Sequence, residues 1–174
     1  MIEKILVVAR REVQAWIDHD FYHLPPEGPW SLISIWNDLA LMTFPNIAKV
    51  TERGCNDTLS LEFADLTHEY EDMKLFNEHH AERIIAFIDK VNKTDTKTLV
   101  VHCAAGVCRS GATGLFACRY LKLDETEFRK ENPYISPNML VLQTLNNVSG
   151  MNSDYTDFWQ KRFDSWIVDK GEIF

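Results

Sequence analysis

Four short apolar runs constrain the fold of this chain most strongly. They read KILVVA, SLISIW, TLSLEF and TLVVHC, and each has the length of a buried strand. Segments with helical spacing lie between them, at about residues 37–52 and 71–91. The apolar face of the second segment comprises Phe76, His80, Ile84, Phe87, Ile88 and Val91. Because strands that alternate with helices form parallel sheets, the sequence predicts an α/β fold with a mainly parallel central sheet of four or five strands flanked by helices.

The part of the chain that follows the fourth apolar run is predicted to be helical. Helical spacing recurs after the segment ISPN and again in DFWQKRFDSWIV near the end of the sequence. In this last segment one stripe is formed by Trp159, Phe163, Trp166 and Ile167. We expect the stripe to pack on the core of the same domain, and a dimer interface is the alternative. A chain of 174 residues can bury a sizeable core, so we predict a single domain over residues 1–174.

Charge and composition argue against several classes of function. The net charge of −8 disfavours a nucleic-acid partner, because phosphate backbones are bound by basic surfaces. No apolar stretch reaches the roughly 18 residues that a membrane-spanning helix needs, and the first residues do not resemble a signal peptide. Four cysteines are too few for a disulfide scaffold in a chain of this size. We therefore expect a cytoplasmic protein with free thiols and with no nucleic-acid or membrane partner.

The segment HCAAGVCRSG lies between the last predicted strand and a predicted helix. Backbone N–H groups at such a junction, together with the positive end of the helix, form a site for phosphate. Gly106 allows the backbone to curl, and Arg109 offers a planar fork for two phosphate oxygens. We expect this cradle to lower the pKa of Cys103 from its usual value of about 8.5. The sequence therefore predicts a thiolate nucleophile directed at a bound phosphorus atom.

The pattern His-Cys-x-x-Gly-x-x-Arg-Ser at residues 102–110 resembles the phosphate-binding loop of cysteine-dependent protein tyrosine phosphatases. At average residue usage, the five fixed positions arise by chance on the order of once in ten million start points. Downstream, YISPNMLVLQTL resembles the segment that leads into a helix in small dual-specificity phosphatases and their bacterial relatives. In low-molecular-weight tyrosine phosphatases the loop lies near the N-terminus and the general acid comes after it. Here the loop begins at residue 102 and a candidate for the general acid precedes it, which is the order of the dual-specificity phosphatases. The resemblance covers about residues 58–145 and implies a dual-specificity-phosphatase-like fold.

This resemblance implies a role for each residue of the motif. Cys103 would be the nucleophile, and Ser110 would ease its departure from phosphorus; a first-turn helix serine is the alternative for Ser110. His102 would support the loop through hydrogen bonds that favour the thiolate, unless it is an ordinary strand-end histidine. Asn138 would brace the loop, a role compatible with that of a helix N-cap. Phosphate would be bound by the loop itself, which comprises Ala104, Ala105, Gly106, Val107, Cys108 and Arg109.

Cleavage of a phosphate ester also needs a positioned acid, which contributes roughly 10²–10⁴-fold to the rate. In the family this acid is an aspartate on the loop after the strand upstream of the catalytic one. The segment SLEFADLTHEYED offers Asp65, Asp72 and Glu71. Asp65 directly follows the strand and is favoured, whereas Asp72 lies nearer the predicted helix start and could be a carboxylate of its first turn. The sequence indicates no metal and no cofactor, and His80 reads as a core histidine.

Cys108 departs from the commonest form of the loop. Low-molecular-weight tyrosine phosphatases carry a cysteine there, and by resemblance Cys108 could form a protective disulfide with Cys103. The alternative is a small side chain packed under the loop.

The resemblance and the compact length of the chain imply a phosphatase that acts on phosphotyrosine and, through a shallow pocket, on phosphoserine and phosphothreonine. The substrate would be a phosphorylated protein or a small phosphorylated molecule, such as an inositol phosphate. The uncharged variable positions of the loop count mildly against polyphosphates. A phosphate-binding module without catalysis is the remaining alternative. The sequence does not indicate the oligomeric state.

Overall fold

The computed structural model describes residues 1–18, 24–37 and 47–151. Within them lie four strands, β1 (Lys4–Ala9), β2 (Trp30–Trp36), β3 (Cys55–Glu62) and β4 (Thr98–Cys103). The strands pair in parallel and in the order β1-β4-β2-β3. Each predicted apolar run coincides with one strand to within a few residues. The predicted α/β fold with a parallel central sheet is therefore confirmed.

Six helices accompany the sheet in the described part of the chain. They are α1 (Arg10–Ile17), α2 (Ile47–Glu52), α3 (Glu78–Asn92), α4 (Arg109–Tyr120), α5 (Glu125–Glu131) and α6 (Met139–Ser149). Three of them follow β4, which confirms the helical C-terminal portion. The predicted stripe of Trp159, Phe163, Trp166 and Ile167 lies outside the described residues, as does most of the helix predicted at 37–52. None of the helices described here combines the length and the apolar character needed to cross a bilayer.

Helix α3 begins seven residues later than predicted. Glu71 has a φ of 48°, in the left-handed region, which is incompatible with a right-handed helix at that point. The start is instead set by Asn77, whose side chain accepts a hydrogen bond from the His80 N–H at 3.2 Å. The His80 Nδ1 atom accepts one from the Asn77 N–H in return, which completes a capping box. Residues 71–77 consequently belong to the loop that follows β3 rather than to the helix.

The two faces of the sheet carry separate apolar cores. Because side chains alternate along a strand, Leu99, Val101 and Cys103 of β4 join the core shared with helices α3, α4 and α6. Val100 lies on the opposite face, in a second core that includes Trp16 of α1. His102 shares this second face by the same alternation. The catalytic candidate and its neighbouring histidine are thereby directed to different sides of the sheet.

Asn132 joins the end of α5 to strand β1, which lies at the end of the sheet order. Its side chain is buried, its Oδ1 accepts a hydrogen bond from the Val7 N–H at 2.7 Å, and its Nδ2 donates to the Ile5 carbonyl at 3.2 Å. The same nitrogen donates to the Phe128 carbonyl at 2.8 Å. These bonds fix where the connection from α5 to α6 begins, beside the middle of β1.

Candidate active site

The segment between β4 and α4 lies at the carboxyl ends of the parallel strands, where α/β sheets bind their ligands. It rests on the end of β1, since the Arg10 N–H donates to the Ala104 carbonyl at 3.3 Å. Gly106 has a φ of 73°, and a Cβ atom there would lie 2.5 Å from both the Ala9 nitrogen and the Val8 carbonyl carbon. Only glycine can therefore occupy this position without moving the loop away from β1.

Cys103 lies at the base of this loop and is almost fully buried. Its Sγ atom is 3.1 Å from the Oγ of Ser110, in the first turn of α4. Burial by itself raises the pKa of the Cys103 thiol. The hydrogen bond from the Ser110 side chain, those from the backbone N–H groups of Ser110 and Val107, and the charge of Arg109 together outweigh burial, so the pKa lies below its ordinary value. The surroundings thus favour a thiolate at this position.

Arg109 connects the loop to the end of strand β3. Its guanidinium is buried and donates from Nη1 to the carbonyl oxygen of Phe63 at 2.9 Å. The Nε atom of Arg109 lies 3.7 Å from Oδ2 of Asp65. The arginine is therefore held in place from one side, beside the carboxylate of the favoured acid candidate.

Of the two aspartate candidates, Asp65 is the one in contact with the loop. It lies just beyond β3, and its side chain remains 35% exposed while contacting Arg109 and Asn138. Asp72 is exposed and lines a separate cavity of about 250 Å³. No residue of the segment 103–109 is among the described residues that line this cavity. The structure thus brings Asp65, and not Asp72, to the phosphate loop.

Asn138 contacts three parts of the molecule at once. It is the N-cap of α6, where its Oδ1 accepts a hydrogen bond from the Val141 N–H at 3.3 Å. Its backbone N–H donates to the Cys108 carbonyl at 3.1 Å. Its Nδ2 donates to Oδ1 of Asp65 at 2.8 Å and to the Leu66 carbonyl at 3.4 Å. Asn138 therefore caps the helix and contacts the loop, as the sequence predicts. Its contact with Asp65 was not predicted from the sequence.

His102 is buried on the face of the sheet opposite to Cys103. Burial lowers its pKa to about 4, so the imidazole is neutral near pH 7. Its Nδ1 atom lies 3.5 Å from the Cys103 carbonyl, and its Nε2 atom has no hydrogen-bond partner among the described residues. The role in favouring the thiolate stays a prediction, since the contact is with the backbone of Cys103 and not with its sulfur.

The pKa of Cys108, the second cysteine of the loop, is shifted in the opposite direction to that of Cys103. Burial and the nearby Asp65 carboxylate raise the pKa of the Cys108 thiol. Cys103 and Cys108 are both free thiols, as are Cys55 and Cys118. Among the described residues, no group of three or more His, Cys, Asp or Glu side chains is arranged to hold a metal ion.

Sequence reasoning missed the contacts that backbone atoms make at this site. The Phe63 carbonyl accepts from Arg109, and the backbone of Val8 and Ala9 supports the loop at Gly106. Backbone groups carry no residue-specific signal. Only the glycine itself could have indicated that another chain segment approaches closely at this point.

The parallel sheet, the loop between β4 and α4 and the acidic loop after β3 together define the dual-specificity-phosphatase-like fold of cysteine phosphatases. Solved structures with this fold include Tk-PTP in its active form, at 16% identity over 84% of this chain and 90% of that chain, with a TM-score of 0.51. The structure of PTPMT1 in complex with PI(5)P is 13% identical to this chain over 84% of this chain and 90% of PTPMT1, with a TM-score of 0.52. Human DUSP28 is 15% identical to this chain over 83% of this chain and 90% of DUSP28, with a TM-score of 0.50. No protein-family model matches the sequence, and no curated protein matches it. At these identities the likeness shows the fold alone.

Proposed function

We propose that this protein is a cysteine-dependent phosphatase that hydrolyses phosphate monoesters through a phosphocysteine intermediate, with residues 1–174 acting as one phosphatase domain. One observation carries the proposal. A buried cysteine whose pKa is lowered lies 3.1 Å from a serine hydroxyl, in a loop whose arginine lies 3.7 Å from a carboxylate. Nucleophile, anion-binding group and proton donor are the three components that transfer of a phosphoryl group requires.

In the first step the phosphate binds to the N–H groups of residues 104–109 and to the guanidinium of Arg109. The Cys103 thiolate attacks phosphorus and forms an S–P bond, while the P–O bond to the leaving group breaks. Asp65, in its protonated form, gives its proton to the departing oxygen. The products of this step are the free alcohol or phenol and a phosphocysteine.

In the second step water attacks the phosphorus of the phosphocysteine. Asp65, now a carboxylate, accepts the proton of that water, and the S–P bond breaks. The Ser110 hydroxyl, 3.1 Å from Sγ, donates a hydrogen bond to the thiolate as it leaves. Inorganic phosphate departs, and both Cys103 and Asp65 return to their starting protonation states.

The substrate we propose is phosphotyrosine, with phosphoserine and phosphothreonine accepted as well. The variable loop positions, Ala104, Ala105, Val107 and Cys108, are uncharged, which suits a substrate with a single phosphate. A phosphoinositide is the second candidate, because PTPMT1, which shares the fold, is in complex with PI(5)P. We place the protein in the cytoplasm, because a reducing compartment suits a phosphatase whose four cysteines are all thiols.

The first experiment is hydrolysis of p-nitrophenyl phosphate by the purified protein under reducing conditions. Cys103→Ser should lower kcat by roughly 10³-fold or more, because the hydroxyl is a far weaker nucleophile. Asp65→Ala should lower kcat by about 10²-fold, whereas Asp72→Ala, the matched control, should leave it unchanged. Phosphotyrosine, phosphoserine and phosphoinositide substrates are then compared.

Turnover that persists in Cys103→Ser would contradict the phosphocysteine mechanism. A folded wild-type protein that binds vanadate but hydrolyses none of these esters would instead support a phosphate-binding module. Equal losses in the two aspartate variants would remove Asp65 from its assigned role and leave the nucleophile untouched.

A further inference from the structure

Resting on the proposed function, we propose that Asn138 is a positioning residue that holds Asp65 so that its acidic proton lies on Oδ2, the oxygen beside Arg109. Asn138 is the buried N-cap of α6 and lies 73 positions from Asp65 along the chain. Its side chain reaches across from the helix N-terminus to the loop that carries the acid. Asn138 would therefore orient the proton donor in addition to supporting the phosphate loop.

The orientation of the Asn138 amide is determined by its hydrogen bonds. The Val141 N–H, at 3.3 Å, requires an acceptor, so the side-chain oxygen must face it. The NH₂ group then faces Oδ1 of Asp65 at 2.8 Å and the Leu66 carbonyl at 3.4 Å. Each of the two amide hydrogens of Asn138 is therefore donated to one acceptor. A flipped amide would leave the helix N–H without its cap and would place an oxygen against a carboxyl group.

This orientation decides which oxygen of Asp65 can carry the proton. An amide N–H is a donor only, so Oδ1 must accept and cannot itself donate to Asn138. The proton of the neutral acid is favoured on Oδ2, because the Nε atom of Arg109 lies 3.7 Å from this oxygen, beyond hydrogen-bond distance, whereas Oδ1 accepts a bond at 2.8 Å. Because that guanidinium binds the phosphate in the proposed mechanism, Oδ2 is the oxygen nearer to the ester. Asn138 thus directs the proton toward the leaving group.

The same residue fixes the acid relative to the nucleophile. The Asn138 backbone N–H donates to the Cys108 carbonyl at 3.1 Å, within the phosphate loop. This bond uses the main chain, so it persists when the side chain is changed. A substitution at Asn138 can therefore remove the donor to Asp65 while the contact with the loop is retained.

The experiment compares Asn138→Ser with wild type on two esters that differ in their need for a general acid. Serine still caps a helix but is too short to reach Asp65. Phenolate leaves less readily than p-nitrophenolate, so phenyl phosphate depends more on proton donation. We expect the ratio of kcat/KM for phenyl phosphate to that for p-nitrophenyl phosphate to fall by about tenfold.

The matched control is Asn77→Ser, the same substitution at the N-cap of α3. Asn77 accepts from its helix N–H at 3.2 Å, nearly as Asn138 does, but it is exposed and caps a different helix. We expect Asn77→Ser to keep its helix cap and to leave the ester ratio unchanged. If Asn138→Ser does not fold, Asn138→Asp keeps the cap and the shape while replacing the donor with an acceptor, and the ratio should again fall.

A folded Asn138 variant that loses activity equally on both esters would overturn the inference, because a purely structural role does not depend on the leaving group. A fall in the ratio that Asn77→Ser shares would overturn it as well. A wild-type protein that hydrolyses neither ester would overturn the proposed function, and the inference with it. The two failures are distinguished by the wild-type rates alone.

Discussion

Two cysteines of one short loop differ in the charges that surround them. Cys103 is surrounded by hydrogen-bond donors and by Arg109, which lower its pKa despite burial. Cys108 is affected by burial and by the Asp65 carboxylate, which raise its pKa. The loop therefore places a thiol with a raised pKa near one whose surroundings favour the thiolate. This is the combination that lets a sulfenic acid be trapped, since the thiolate oxidises first and the thiol can condense with the product.

At the residue scale, we predict that Cys108 protects Cys103 from irreversible oxidation. Hydrogen peroxide would convert the Cys103 thiolate to a sulfenic acid, and the Cys108 sulfur would then form a disulfide with release of water. After brief peroxide treatment, dithiothreitol should restore most of the wild-type activity but only a small part of the activity of Cys108→Ser, each relative to its own untreated rate. Equal recovery in both proteins would show that Cys108 only fills space under the loop.

At the scale of elements, the phosphate loop depends on the end of β1. The backbone of Val8 and Ala9 lies where any side chain at position 106 would have to go. The loop, β1 and the start of α4 are therefore one packed unit, and the amide cradle keeps its shape because a neighbouring strand supports it. The proposed anion site would therefore depend on contacts between elements as well as on the motif itself.

Replacing Gly106 by alanine should separate the loop from β1. The left-handed φ alone costs about 1 kcal/mol for a residue with a side chain, and the 2.5 Å contacts add strain that the loop can relieve only by moving. We expect Gly106→Ala to lower kcat by about 10²-fold or more, because misplaced donors no longer stabilise the transition state. Steady-state kinetics and urea unfolding measure the two effects.

Gly150→Ala is the control for this substitution. Gly150 has a similar φ of 70°, but no atom of the described residues lies within 4 Å of a Cβ placed there. Gly150→Ala should lower the free energy of unfolding because of its left-handed φ, and it should leave kcat unchanged. If Gly106→Ala keeps full activity, the close approach to β1 has no bearing on catalysis.

The elements differ in how well the sequence predicts them. All four strands were predicted, because β1, β2 and β4 are short and largely apolar and the apolar residues of the run TLSLEF alternate with polar ones. The start of α3 was wrong because residues 71–77 have a helical composition, and the true start depends on the side chain of Asn77. The contact between Asn138 and Asp65 joins positions 73 residues apart, so no local pattern could reveal it.

At the scale of the whole molecule, the parallel sheet brings the site together. Cys103 ends β4 and Asp65 follows β3, and in a parallel sheet both strands end at the same edge. The convergence of the proposed nucleophile and the proposed acid could therefore be predicted from the fold. His102 is buried on one face of this sheet, and its burial affects the stability of the whole domain.

Burial of a neutral His102 should make the protein less stable in mild acid. Its pKa falls from 6.5 to about 4 on folding, so between these values the unfolded chain binds more protons than the folded one. The stabilising contribution is present above pH 6.5 and is lost as the pH falls toward 4. Between pH 7 and pH 5 the free energy of unfolding should drop by about 2 kcal/mol more in wild type than in His102→Asn.

Urea unfolding at the two pH values measures this difference. The substitution changes the absolute stability at both, so only the change with pH is compared. An equal drop in the two proteins would mean that His102 titrates alike in the folded and unfolded chains.

The two hydrogen bonds of Asn132 to strand β1 have a consequence beyond the position of the helix connection. Val7 N–H and the Ile5 carbonyl are the groups that an added strand would use to extend the sheet at this side. A buried side-chain amide occupies both and is itself anchored to α5. Because one asparagine takes the place that a strand from another molecule would need, the sheet resists strand addition at its β1 edge, and strand addition is the first step toward ordered aggregation.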